Sequence, residues 1–199
     1  MIRPETKLIA GNSPNNPTGF TFTNDQMSRL IEICGKHDLY LFSDEVYKGL
    51  ELDGEPREWA ADQYGKAVSL GVMSKAYGLA GIRVGWTASQ DRELLDKLVR
   101  FKHYLSICDS GPSEFLAKAA LKHGDELLER NRSIIRENIK TADAFFARHP
   151  EVFEVKTMEC GPVAFHKLKL DMPVSEFCRL AVEKKGVLLL SGDVYEADG

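Results

Sequence analysis

Lys75 closes a run of small and apolar residues, 67–73, with a positive charge. Such a run reads as a buried strand, so the lysine is expected at a strand end, on the edge of a core rather than on an open surface. Desolvation there disfavours the ammonium form and leaves a neutral amine able to attack a carbonyl and form a Schiff base. The segment continues as Ser74-Lys75-Ala76-Tyr77-Gly78-Leu79-Ala80-Gly81-Ile82-Arg83-Val84-Gly85. Its glycines permit tight turns and close backbone approach, and Arg83 returns a fixed cation suited to a phosphate-sized anion. An amine nucleophile beside an anion site points to an aldehyde cofactor that carries a phosphate. Taken alone, the segment reads first as a solvated loop whose charges pair at the surface, and it is the rest of the chain that favours the chemistry.

Two earlier stretches bring further polar groups to the same place. Residues 7–10 form a short apolar strand that runs into Gly11-Asn12-Ser13-Pro14-Asn15-Asn16-Pro17-Thr18-Gly19, a stiff loop in which Asn16 offers both a donor and an acceptor. Thr23-Asn24-Asp25-Gln26 then caps a helix that carries Met27, Leu30, Ile31 and Cys34 at helical spacing. Residues 39–42 make a second buried strand, which delivers Ser43-Asp44-Glu45-Val46-Tyr47 at its carboxyl end. Strand, helix and strand in this order read as a right-handed crossover in a parallel sheet, whose ligands sit beyond the carboxyl ends of the strands. Asn16, Asp44, Tyr47 and Lys75 are therefore expected on one side of the sheet. A helix cap for Asp44 and core packing for Tyr47 remain the plainer alternatives.

The rest of the chain supplies the frame. At 199 residues and 43% hydrophobic content it can bury a sizeable core. A net charge of −4 leaves no basic footprint for nucleic acid. No apolar run approaches a membrane span, and the first residues lack the apolar stretch of a signal peptide, so a cytoplasmic address is expected. Cys34, Cys108, Cys160 and Cys178 are scattered and read as thiols, and the five histidines show no metal-ligand spacing. Residues 54–64 read as a loop or short helix over the sheet, 82–88 as a strand, and 91–104 and 113–122 as helices. A long amphipathic helix over 125–149 is followed by strands at 153–156 and 163–168, a helix at 174–184 and a strand at 187–190. The change to an α+β pattern places a domain boundary near residue 125, dividing the chain into 1–124 and 125–199.

Asn15-Asn16-Pro17-Thr18-Gly19, Ser43-Asp44-Glu45-Val46-Tyr47 and Ser74-Lys75 through Arg83-Val84-Gly85 together resemble the class I and II aminotransferases, pyridoxal-phosphate (PLP) enzymes of fold type I. The resemblance implies an α/β, three-layer PLP-transferase large domain with a mostly parallel sheet, partial in this chain, followed by part of a smaller α+β domain that includes the long linking helix. It also implies roles. Lys75 would form the Schiff base with pyridoxal 5'-phosphate and move the proton of the substrate α-carbon. Asp44 would pair with the pyridine nitrogen, Tyr47 and Asn16 would hydrogen-bond the ring oxygen, and Ser74 and Arg83 would hold the phosphate. The Asn16–Pro17 bond would be cis. The pattern departs at Val72, where family members often carry a hydroxyl residue. The chain also reads as an internal piece of a larger enzyme that is expected to be a homodimer.

The implied reaction transfers an amino group between an amino acid and a 2-oxo acid. A PLP-dependent lyase or cyclase is the alternative, because these motifs build the cofactor site and not the substrate site. A nucleotide-hydrolysing domain would need G-x-x-x-x-G-K-[ST], which the sequence lacks. An inactive fragment acting as an interaction module is the non-enzyme reading.

Overall fold

The computed structural model describes residues 2–55, 57–156 and 158–195. Strand β1 (Leu8–Asn12) leads through the proline-rich loop to helix α1 (Asn24–Lys36) and then to β2 (Tyr40–Asp44). Short helix α2 (Ala60–Gln63) precedes β3 (Ala67–Val72), and a single 3-10 turn, Ala80–Ile82, precedes β4 (Gly85–Ala88). The four strands form one sheet in the order β1-β2-β3-β4, in which β1, β2 and β3 run parallel and β4 is antiparallel to β3.

Helix α1 starts where the sequence places it because Thr23 and Gln26 form a reciprocal capping box: each side chain accepts from the other residue's backbone N–H. Its inner face sets Met27 and Cys34, with Leu30 and Ile31, against Leu39, Leu41, Ala60 and Ala67. Leu41 is 1% exposed, and burying one such side chain contributes roughly 1.5–3 kcal/mol. Ala60 and Ala61 are buried, and the Ala61 N–H donates to Ser69 Oγ at 3.0 Å, which satisfies a hydroxyl that has no access to water. Helix α2 thus lies on the sheet beside α1, held by two alanines small enough for close approach.

Helices α3 (Arg92–Leu105), α4 (Gly111–Leu121) and α5 (Gly124–Phe146) follow. Two compact units result, one of residues Met1–Glu137 with Met158–Val163, the other of Asn138–Thr157 with Ala164–Gly199. The division falls inside α5, past the expected point near 125, because the helix before it is bonded to the sheet unit, Asn131 Nδ2 to the Ala76 carbonyl and Arg132 Nη1 to the Gly49 carbonyl. The second unit holds β5 (Phe153–Glu154) and β6 (Lys167–Leu168), an antiparallel pair, and helix α6 (Val174–Lys185).

Three expectations change at the strands. β4 starts at Gly85 rather than 82, since the residues before it are taken up by the 3-10 turn. β6 starts at Lys167 rather than 163, because Met158–Val163 joins the first unit, where Cys160 bridges Glu51. Residues 187–190 form no strand: Gly186 ends α6 in the left-handed region at φ 66°, and the apolar run after it leaves Leu188 85% exposed. A strand needs a neighbour for its backbone groups, and among the described residues none lies beside this run. Among those residues no helix is long and apolar enough to cross a membrane, and no group of three or more His, Cys, Asp or Glu residues is placed to hold a metal ion.

Candidate active site

Because β1, β2 and β3 are parallel, the loops that follow them leave from the same end of the sheet. The first loop is knotted by its own side chains. Asn12 Oδ1 accepts from Asn15 Nδ2 at 3.2 Å and from the Asn16 N–H at 3.0 Å, while Asn15 Oδ1 accepts from the Thr18 hydroxyl at 2.6 Å. Ser13–Pro14 and Asn16–Pro17 are both cis. Gly19 adopts φ 70°, and a Cβ there would lie 3.1 Å from the Cys160 carbonyl, so both geometry and space require glycine. This loop delivers the Asn16 amide to Tyr47, donating from Nδ2 to the phenolic oxygen at 3.2 Å.

The second loop turns sharply after β2. Asp44 Oδ1 accepts the Val46 N–H at 3.2 Å, an Asx turn that shapes the bend, and the Asp44 carbonyl accepts from the Ser13 N–H at 3.0 Å. Glu45 points inward and is 1% exposed. Its carboxylate accepts from Lys48 Nζ at 2.6 Å and from the Ala60 N–H, and Lys48 also donates to the Glu58 carbonyl at 2.8 Å. A buried carboxylate satisfied on several sides anchors the turn to α2. Tyr47 is buried, and Asn16 donates to its hydroxyl.

The third loop carries the lysine. Met73 and Ala76 occupy its inward positions, 0% and 2% exposed, and the Leu79 N–H closes the loop onto the Met73 carbonyl at 2.9 Å. Lys75, between them, is exposed. This corrects the expectation of a desolvated lysine: in this turn the neighbours on either side take the buried places. Lys75 Nζ instead lies 6.0 Å from the centre of the Tyr47 ring, within reach of a cation–π contact. Ser74 is partly exposed, and Arg83 is exposed in the left-handed region at φ 53°, ψ 43°, with Nη1 donating to the Ala80 carbonyl at 3.3 Å. That conformation costs a non-glycine residue about 1–2 kcal/mol, so the surrounding turn sets it.

Of the six residues singled out in the sequence, the structure joins Asn16, Tyr47 and Lys75 by direct contact and places Asp44 in the same turn as Tyr47. Among the described residues, Ser74 and Arg83 make no hydrogen bond to the other four. Neither Lys75 nor Arg83 has a carboxylate partner among those residues, so neither cation is consumed in a structural ion pair. An amine, a guanidinium, a carboxylate and an amide-bound phenol at one end of a sheet can carry a carbonyl, an anion and an aromatic ring nitrogen. Sequence reasoning missed Glu45 as an anchor, although its place beside Asp44 on an alternating strand end was a signal. It also missed Cys160, whose buried thiol lies 3.7 Å from the Tyr47 carbonyl and is pushed well above its ordinary value by burial.

The model of the family described as aminotransferase class I and II matches residues 2–198. Among curated proteins the chain is similar to capreomycidine synthase of Streptomyces vinaceus, 27% identical over 98% of this chain and 50% of that protein. Among solved structures it is similar to a PLP-dependent aminotransferase from Streptococcus suis 89-1591, at 35% identity and a TM-score of 0.90, over 100% of this chain and 52% of that one. It is also similar to the PLP-dependent cyclase OrfR, at 28% identity and a TM-score of 0.89, over 98% of this chain and 52% of the other. The chain thus spans about half the length of the curated relatives it matches. The architecture is α/β and of fold type I. Since the family match takes in the whole sheet and all three loops at its end, the chain belongs to the class I and II aminotransferases.

Proposed function

We propose that this chain carries the cofactor site of a PLP-dependent aminotransferase, which moves an amino group between an amino acid and a 2-oxo acid. The observation that carries the reading is the placement of the Lys75 amine, which has no ion-pair partner among the described residues, over the Tyr47 ring, whose hydroxyl is already held by Asn16. The residues present fit pyridoxal 5'-phosphate by the chemistry of their donor set. Lys75 supplies the amine that attaches it, Ser74 and Arg83 supply donors for its phosphate, and Asp44 supplies the carboxylate for its ring nitrogen. When bound, the cofactor supplies an electron-withdrawing ring that acidifies the α-carbon of the amino acid. With the cofactor in place, Lys75 Nζ would take that proton and return it, and Tyr47 and Asn16 would hydrogen-bond the ring oxygen. The substrates are an amino acid and a 2-oxo acid, and the protein works as a homodimer in the cytoplasm.

The test is an absorbance titration of the purified chain with pyridoxal phosphate, beside Lys75→Ala, followed by borohydride reduction and mass mapping. A near-visible band absent from the variant, with label on Lys75, is the expected result. Label spread over surface lysines overturns the reading. A second reading, cyclisation of an amino acid, draws on the likeness to a PLP-dependent cyclase. The two part on the acceptor: transamination consumes a 2-oxo acid, and cyclisation turns over without one.

A further inference from the structure

Helix α5 plays no part in the roles proposed above, yet two consecutive side chains on it reach the turns that carry Lys75 and Tyr47. Asn131 Nδ2 donates to the Ala76 carbonyl at 2.8 Å, and its Oδ1 accepts from Arg130 Nη1 at 3.3 Å, so the amide is satisfied at both ends. Arg132 Nη1 donates to the Gly49 carbonyl at 2.7 Å, while its Nε is held by Glu129 Oε2 at 2.9 Å. The N–H of Gly49 is fixed too, donating to Glu51 Oε2 at 2.8 Å. Gly49 adopts φ 90°, and a Cβ there would meet Leu128 Cδ1, also on α5, at 2.9 Å. The two turns touch directly as well, the Ala76 N–H donating to the Val46 carbonyl at 3.2 Å. Adjacent helical residues point about 100° apart, which is how one helix serves two carbonyls.

The geometry points to Asn131 and Arg132 as positioning residues, which together lock the Lys75 turn against the Asp44-to-Gly49 turn and so set where Lys75 Nζ lies over the Tyr47 ring. The inference rests on the function proposed above. Lys75 is exposed and makes no ion pair among the described residues, so its amine is placed by its backbone and by the Tyr47 ring rather than by a charged partner. That backbone is held at Ala76 on both sides, through N–H by Val46 and through the carbonyl by Asn131. The side chain of Asn131 also closes over Gly78, where a Cβ would lie 3.1 Å from Nδ2. The Lys75 turn is thus shaped to receive this one amide.

Asn131→Asp keeps the shape but offers no N–H to the Ala76 carbonyl, and Arg132→Lys keeps the charge but not the fork held by Glu129. Amide hydrogen exchange of the cofactor-free chain is read first. Ala76 is expected to exchange about tenfold faster or more in Asn131→Asp, with the amides of Leu30 and Ile31 in α1 unchanged. Unchanged exchange at Ala76 overturns the inference. The pH midpoint of the absorbance of the pyridoxal-phosphate-loaded chain is read second. Both variants are expected to move it, whereas a role in stability alone would lower the unfolding midpoint and leave the pH midpoint in place, which would also overturn the inference. Failure of the unmodified chain to take the cofactor would count against the proposed function, and the exchange measurement would still decide this one.

Discussion

Asp91, which the sequence places only at the start of a helix, does two things with one carboxylate. As the cap of α3 it accepts the Leu94 N–H at Oδ1, 2.9 Å, and with Oδ2 it accepts the Tyr40 hydroxyl at 2.7 Å. The Leu94 N–H first, and then the Tyr40 hydroxyl, hold its carboxyl below the ordinary value of 3.8, while the same bond pushes the Tyr40 phenol up. A carboxyl with a lowered folded value stabilises the native state above the unfolded value and loses that contribution as pH falls through the folded one. Asp91→Asn is therefore expected to melt earlier than the native chain at pH 7, and the gap to close below pH 3.8, in thermal melts followed by circular dichroism. A gap that stays constant with pH would show that the charge contributes nothing. The start of the helix at 91 was legible from the periodic run that follows it, whereas Tyr40 lies far away in sequence and gave no signal of its bond to Asp91. The exposure of Lys75 was illegible for a related reason: which residue of a turn faces inward depends on the backbone, not on residue type.

At the scale of elements, the turn after β2 depends on a charge that cannot reach water. The Glu45 side chain is 0% exposed and that of Lys48 9% exposed. Removing one partner of such a pair strands the other, which costs about 3–5 kcal/mol, although the Glu58 carbonyl and the Trp59 ring still receive the Lys48 ammonium and favour the lower end. Glu45→Gln is expected to lower the urea midpoint accordingly, and a change under 1 kcal/mol would mean that the turn is held without the pair. The sequence showed β1, α1, β2 and β3 plainly because each combines an apolar run with its own stop signal, and the three motif loops follow from them. It did not show that residues 187–190 fail to pair, since an apolar run states an appetite for burial without naming a neighbour. The interplay of Trp86 with Gly71, where a Cβ would lie 2.5 Å from the indole, was equally hidden because the two sit on different strands.

For the molecule as a whole, the surface carries an imbalance that composition does not reveal. Phe101, Tyr104, Leu105, Ile107, Phe115 and Leu116, on α3, α4 and the turn between them, are each more than half exposed. Apolar surface of this kind favours association. The chain is expected to associate with rising concentration in sedimentation equilibrium, and Phe115→Asp to weaken that association; identical profiles would show that this face is not the cause. The sheet unit was the more legible of the two because its signals are local and repeated, while the second unit is built from strands of two residues each, too short to leave a period. The bond from the Ala76 N–H to the Val46 carbonyl carries a consequence of another kind. It is made wholly of main-chain atoms, so substitution of the residues on either side of it leaves both donor and acceptor in the chain, and only proline at position 76 deletes the donor. The donor and acceptor of the joint between the lysine turn and the acidic turn are in that sense shielded from drift: descendants of this chain inherit the pair itself, while how firmly it stays closed rests on Asn131 and Arg132.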